Sequence, residues 1–312
     1  MMSCLRATAF AFVFFLLIFT NANAVEVRGP LFEVIDGATY VLDPINFAGF
    51  YYDVKNGIGT EKFTLTVTDN RLNRVTGAVY ETIARKNNFS FDGLGHYYLM
   101  GFLGRAYFAG YADGYLRNES ETFNLLDEGR LSQVLIDSNQ EINMGSGTVV
   151  PLAQEYVLAI RSIDLDGNKV VVELYKGSSK VDSGVISLSD PKANGGTYVF
   201  KKSLWGNGEM VVIAIHFKNA FIGVERDLVT VDGIWQIADT TSTVRVGKEY
   251  ERMIVDNIDS ENLSISMSNL EKDIILSRGN DILLIGDMGI KTSSQKDISP
   301  ENPLRFYVYK VV

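Results

Sequence analysis

Few residues in this chain of 312 have the types and spacing for chemistry. Three Asn-x-Ser triplets begin at Asn88, Asn118 and Asn262. In an exported protein each is a candidate N-glycan site, because transfer needs that short signal on an exposed loop. Asn118 stands in the most polar surroundings, Asn262 in a hairpin turn, and Asn88 before an aromatic strand. Asp164-Leu165-Asp166-Gly167-Asn168 opens like a calcium loop. An EF-hand needs glycine at its sixth position and glutamate at its twelfth, where this chain has Lys169 and Tyr175, so a hairpin turn is the better reading. The two histidines, His96 and His216, fall in different parts of the chain, and a catalytic zinc needs three protein ligands. His216 lies in a strongly apolar strand and reads as a hydrogen-bonded sheet residue. No G-x-S-x-G, Walker loop, G-x-G-x-x-G after a strand or H-E-x-x-H occurs, and no carboxylate pair stands out from the scattered Asp and Glu. We therefore expect no catalytic residues, no cofactor and no metal.

The chain reads as exported. Arg6 precedes the apolar run Ala9 to Phe19, and Ala22-Asn23-Ala24 is an A-x-A cleavage signal, so residues 1–24 read as a signal peptide with the mature chain starting near Val25. The rival, a retained anchor, needs about 20 apolar residues, and this run is shorter. The one cysteine, Cys4, lies before the run, which leaves no thiol or disulfide in the mature chain. No later run is long enough for a transmembrane anchor, and Leu304 to Val312 alternates like a final strand.

The full chain carries a net charge of −9. Loss of Arg6 leaves 28 basic against 38 acidic side chains, a net charge of −10. Nucleic acid and anionic lipid need a basic face and are not expected partners. Dispersed acidity confers solubility and could bind cations weakly or filter solutes by charge.

Strand signals position nearly everything. Phe63 to Thr68 alternates apolar residues with threonine, and Lys169 to Tyr175 and Met210 to Phe217 are β-branched and apolar, with Gly and Asp/Asn clusters between such runs. The best candidate for helical periodicity is Met100 to Tyr111, and its glycines count against it. A repeat of about ninety residues links Glu155-Tyr156…Ile163-Asp164 to Glu249-Tyr250…Ile258-Asp259. The expected fold is mainly β, with two related sandwich-like modules at 131–227 and 228–312 and a β-rich segment, 25–130, packed against them.

Two segments pack aromatics around glycine: Asn46-Phe47-Ala48-Gly49-Phe50-Tyr51-Tyr52-Asp53 and Gly101-Phe102…Tyr107-Phe108-Ala109-Gly110-Tyr111. They supply large buried area and close backbone approach, not reactive groups. With Gly59-Thr60-Glu61, Val27-Arg28-Gly29-Pro30 and Leu228 to Gln236, which contains Asp232-Gly233, they make the whole chain after residue 24 resemble the S-layer duplication-domain family of methane-producing archaea. The chain departs from that pattern at Leu42 and Leu94, near which the family often has tryptophan, and it carries one such domain where principal coat proteins usually carry two plus a C-terminal anchor. The resemblance implies a β-rich cell-surface protein that associates laterally with itself or with other S-layer subunits in a porous coat, as a lattice subunit or an accessory component. The export signal and the Asn-x-Ser triplets make it a secreted glycoprotein. The alternative is a secreted carbohydrate-binding sandwich, with Trp205 or the Tyr97-Tyr98 pair as its aromatic platform.

Overall fold

The computed structural model describes residues 25–116, 124–166, 168–189, 195–205, 208–224, 226–269 and 272–312. Ala24 and Asn118 lie outside them. The first stretch contains β1 (Glu26–Glu33), β2 (Thr39–Leu42), β3 (Tyr52–Asp53), β4 (Ile58–Gly59), β5 (Glu61–Thr68), β6 (Arg71–Leu72), β7 (Ala78–Ile83) and β8 (Arg85–Asn88). The middle contains β9 (His96–Phe102), β10 (Arg105–Asp113), β11 (Arg130–Ser138), β12 (Ile142–Gly145), β13 (Val149–Pro151), β14 (Tyr156–Asp164), β15 (Lys169–Lys176), β16 (Ser179–Ser187) and β17 (Thr197–Trp205). The last stretch contains β18 (Gly208–Ile222), β19 (Asp227–Ile237), β20 (Ser242–Thr243), β21 (Glu249–Tyr250) and β22 (Met253–Asp259). It closes with β23 (Ser264–Ser268), β24 (Ile274–Ile275), β25 (Asp281–Ile285), β26 (Met288–Thr292) and β27 (Arg305–Val311). Among the described residues the only helical elements are the short 3-10 turns Asp92–Leu94 and Leu125–Glu128. The fold is mainly β.

Residues 100–111, the best helix candidate in the sequence, form the β9–β10 hairpin instead. Phe102 pairs with Arg105, and the two residues between them, Leu103 (φ 52°) and Gly104 (φ 72°), both take positive φ. That is the geometry that matches strand twist in a two-residue hairpin. The alternation of the strands then decides which face each aromatic covers.

The strands pair in a nine-stranded sheet (β17-β18-β19-β11-β10-β9-β8, with β12 on β19 and β20 on β11) and an eight-stranded sheet (β21-β22-β23-β7-β5-β6-β24, with β2 on β5). Two four-stranded sheets, β13 to β16 and β1-β27-β26-β25, and the β3–β4 ribbon complete the fold. Two hydrophobic cores result. One gathers residues from the N-terminal strands and from β22 to β27; the other gathers β14, β15, β18 and β19. The β9–β10 hairpin lies between them. Met100, Phe102 and Ala109 enter the first core, while Tyr97, Leu99 and Phe108 enter the second. The limits expected from sequence do not coincide with these cores. The 227/228 limit falls at the start of β19, which is laddered to β18 and β11.

The β14–β15 and β22–β23 hairpins match in detail. The loop between Asp164 and Lys169 ends on Asn168 (φ 47°), and the loop between Asp259 and Ser264 ends on Leu263 (φ 52°). Each hairpin has a bulge at the matching place, after Ile160 and after Val255. Ahead of each stands a positive-φ glycine. Gly147 N–H donates to Ile160 O, and Gly247 N–H donates to Val255 O, both at 2.8 Å. β11 pairs with β19, β12 lies on β19, and β20 lies on β11, so an approximate dyad runs between β11 and β19. The next strand differs in origin: β16 follows β15 directly through the turn between Lys176 and Ser179, whereas β23 takes β7 from the N-terminal part of the chain.

Candidate functional site

β5 opens with Glu61, which is in phase with the buried Phe63, Leu65 and Val67. The alternation that buries those side chains carries a carboxylate into the core with them, where Glu61 is 2% exposed. Gly104 N–H and the Tyr80 hydroxyl donate to its Oε1, both at 2.8 Å, and Tyr51 N–H donates to its Oε2 at 2.7 Å. Leu103 N–H donates to the Tyr80 hydroxyl at 3.0 Å, and Lys310 Nζ donates to Leu103 O at 2.8 Å. One carboxylate thus joins the first aromatic–glycine segment, the β9–β10 turn, β7 and, through Leu103, the final strand. Burial pushes the Glu61 carboxyl up against the opposing pull of its three donors and of the Lys310 charge. Burial also pushes the Lys310 ammonium down and the Tyr80 hydroxyl up.

The aromatic–glycine residues pack around this node. Phe47 is fully buried and meets Phe50 edge-on at 5.0 Å. A Cβ at Gly49 would lie 2.3 Å from the Phe47 ring, and a Cβ at Gly104 would lie 2.2 Å from Gly49 O. Asn46 and Asp53 fasten turns: Asn46 Nδ2 donates to Val41 O at 3.1 Å, and Asp53 accepts from Lys55 N–H, Asn56 and Asn87. Tyr107 packs toward the first core, where it meets Phe102. Phe108 is fully buried in the second core against Tyr111 and Trp235, and Gly110 lies at a bulge of β10. Leu42 and Leu94 are both buried.

The other candidate residues separate. His216 Nδ1 and Asp232 Oδ1 are 2.5 Å apart on adjacent strands, and Phe91 stacks on the imidazole at 4.2 Å. A Cβ at Gly233 would come within 2.7 Å of the Phe91 ring, so glycine makes room for that stack. His96 pairs instead with Asp113, which also accepts from Lys86. The Asp164 segment forms the β14–β15 turn. Asn88 and Asn262 are exposed, and Asn262 Nδ2 donates to Asp259 at 2.7 Å. Tyr97 is 2% exposed and Tyr98 is half-buried, so this pair presents no platform. Among the described residues no helix is long and apolar enough to cross a membrane.

A second buried carboxylate ties the other core. Asp239 accepts from the Tyr156 hydroxyl at 2.8 Å, from Lys176 at 2.5 Å and from Lys202 at 2.6 Å. Burial pushes its carboxyl up, but the two ammonium groups and the hydroxyl outweigh burial and bring it down to about 2. The folded value lies below the ordinary 3.8, so Asp239 stabilises the fold fully above that value. The contribution is lost as pH falls from 3.8 toward 2. Glu61 is raised and acts in the opposite sense, since protonation relieves its buried charge. In acid titrations followed by circular dichroism, Asp239→Asn should flatten the loss of stability across that window, whereas Glu61→Gln should not.

In the sequence Glu61 stands beside the aromatic motif with no evident work. Its phase with Phe63, Leu65 and Val67 was the available signal. Asp239, Tyr80 and Lys310 carry no local signal, because their partners are distant in sequence.

The arrangement interlocks segments that are distant in sequence. A family model for S-layer protein matches residues 33–294. The chain belongs to the S-layer protein family. Over 98% of its length it is 24% identical to a Major S-layer protein of Methanosarcina acetivorans, of which it covers 46%. It is 26% identical over 93% of its length to a Major S-layer protein of Methanosarcina barkeri, of which it covers 42%. A third Major S-layer protein, from Methanosarcina mazei, is 25% identical over 93% of this chain. The chain thus spans less than half the length of these S-layer relatives.

Proposed function

We propose that this chain is a structural subunit of a secreted cell-surface coat, joined laterally to copies of itself or to other S-layer subunits, and that it performs no turnover. The observation that carries this reading is the family match over residues 33–294. Two cores held together by a central hairpin and a buried carboxylate fit a rigid tile. A tile must offer more than one interface per copy if a sheet is to extend. With a net charge of −10 once residues 1–24 are removed, the gaps between such tiles would favour cations over anions.

Glycans on the exposed turn at Asn262 would face solvent without disturbing either core. Mass spectrometry of protein from native envelopes should find Asn262 occupied, and Asn262→Gln should lower the mass by one glycan while leaving stability within about 0.5 kcal/mol. An unmodified Asn262 peptide would remove that site. The coat reading itself is tested by co-sedimentation. Purified chain should pellet with native envelopes and saturate, whereas a chain that stays in the supernatant at every concentration contradicts the reading.

A further inference from the structure

The two matching hairpins differ in what covers their outer edge. On β23 lies β7, and on β7 lies β5. On β15 lies β16, and among the described residues β16 has no strand on its other side. The registers make the comparison residue by residue. Ser264 faces Ile83 as Lys169 faces Ser187, so Glu81 of β7 corresponds to Val185 of β16, and Val79 to Ser183.

In the filled position Ile83 N–H donates outward to Thr60 O, and Glu81 is met by Lys62 at 3.2 Å. By alternation, the N–H and C=O groups of Ser183, Val185 and Ser187 then face the open edge. The charged pair of the filled position is replaced there by Val185, which is 64% exposed, and Val181 on the same strand is 42% exposed. An exposed apolar side chain beside unpaired backbone groups is the arrangement that another strand covers. The β-bulge at Val181 confines the pairing to the segment after it.

We infer that the free edge of β16 is a subunit interface, in which β16 of one copy pairs antiparallel with β16 of a second copy about a local two-fold axis. The inference rests on the coat reading and names one of its contacts. Self-pairing is favoured over a charged partner strand because the position opposite Val185 calls for an apolar side chain, which β16 itself provides. A two-fold contact uses the same patch on both copies and so needs no second complementary surface.

The test uses the full chain with Cys4→Ser, which leaves no other cysteine. Ser183→Cys, Val185→Cys and, as a control, Val54→Cys, whose parent residue is 85% exposed in the β3–β4 turn, are each treated with a short bis-maleimide. At least one edge variant should form covalent dimer tenfold faster than the control. Adding Val185→Pro to Ser183→Cys removes an outward N–H without touching the β15 ladder, and should return the rate to that of the control. Edge rates equal to the control overturn the interface. If arrays still form in that case, the coat reading survives alone. If dimers form but no array appears on any support, the contact stands and the coat reading fails.

Discussion

Glu61→Ala should lower the stability of the chain by about 3–5 kcal/mol, more than any single surface change, as read from urea midpoints at neutral pH. The side chain accepts from Tyr51 N–H, Gly104 N–H and the Tyr80 hydroxyl. Truncation strands these donors in a site where Glu61 is 2% exposed. Each buried donor left without a partner costs about 1–3 kcal/mol. Part of that is offset, because the buried carboxylate is itself expensive to desolvate, as its raised pKa records. Glu61→Gln keeps an acceptor at Oε1 for two donors and turns an amide N–H₂ toward Tyr51 N–H. It should therefore cost less than the alanine, about 1–3 kcal/mol. Glu81→Ala, which removes an exposed partner of Lys62, should cost less than about 1 kcal/mol. Equal midpoints for Glu61→Ala and Glu81→Ala would show that the node does not hold the fold together.

Gly104→Ala should be nearly as damaging, by about 2–5 kcal/mol, for two separable reasons. Its φ of 72° costs a residue with a Cβ about 1–2 kcal/mol. The new methyl would also lie 2.2 Å from Gly49 O and 2.0 Å from Lys310 Nζ. The lysine end can move, but the carbonyl belongs to the turn that Phe47 and Phe50 pack against, and crowding of that kind costs about 1–3 kcal/mol. Gly37→Ala isolates the first term. Gly37 has φ 77°, and a methyl there would meet nothing within 4 Å. The difference between the two variants, measured in the same urea series, is the cost of the close approach. No difference would mean that the turn gives way freely.

Much of the architecture was legible in sequence because strand alternation is local. Phe63 to Val67 and Met210 to Phe217 declare their strands, and the recurrence of Tyr156 at Tyr250 points to the two matching hairpins. What alternation does not show is which strands meet. A limit between 227 and 228, drawn from the ninety-residue repeat, separates β18 from β19, two strands of one hairpin. The Met100 to Tyr111 segment is ambiguous in sequence because its residues serve two cores at once, so both faces are apolar and the period of two is blurred. The aromatic–glycine motif was recognisable as packing. Its organiser was not, because a glutamate in an alternating strand reads as solvent-facing unless its phase is checked. Asp239 gathers partners from Tyr156, Lys176 and Lys202, none of them near in sequence, and no local pattern announces it.

The central claim is that this domain is a tile, made rigid by its interlocked cores and joined edge to edge with others. Electron cryo-microscopy of the purified full chain, alone and mixed with native envelopes, tests it most directly. The account predicts periodic sheets, or incorporation into the existing array, with sharp lattice reflections that weaken when Glu61→Ala loosens the tile. A monodisperse monomer at every concentration, absent from envelopes and leaving their lattice unchanged, would contradict it.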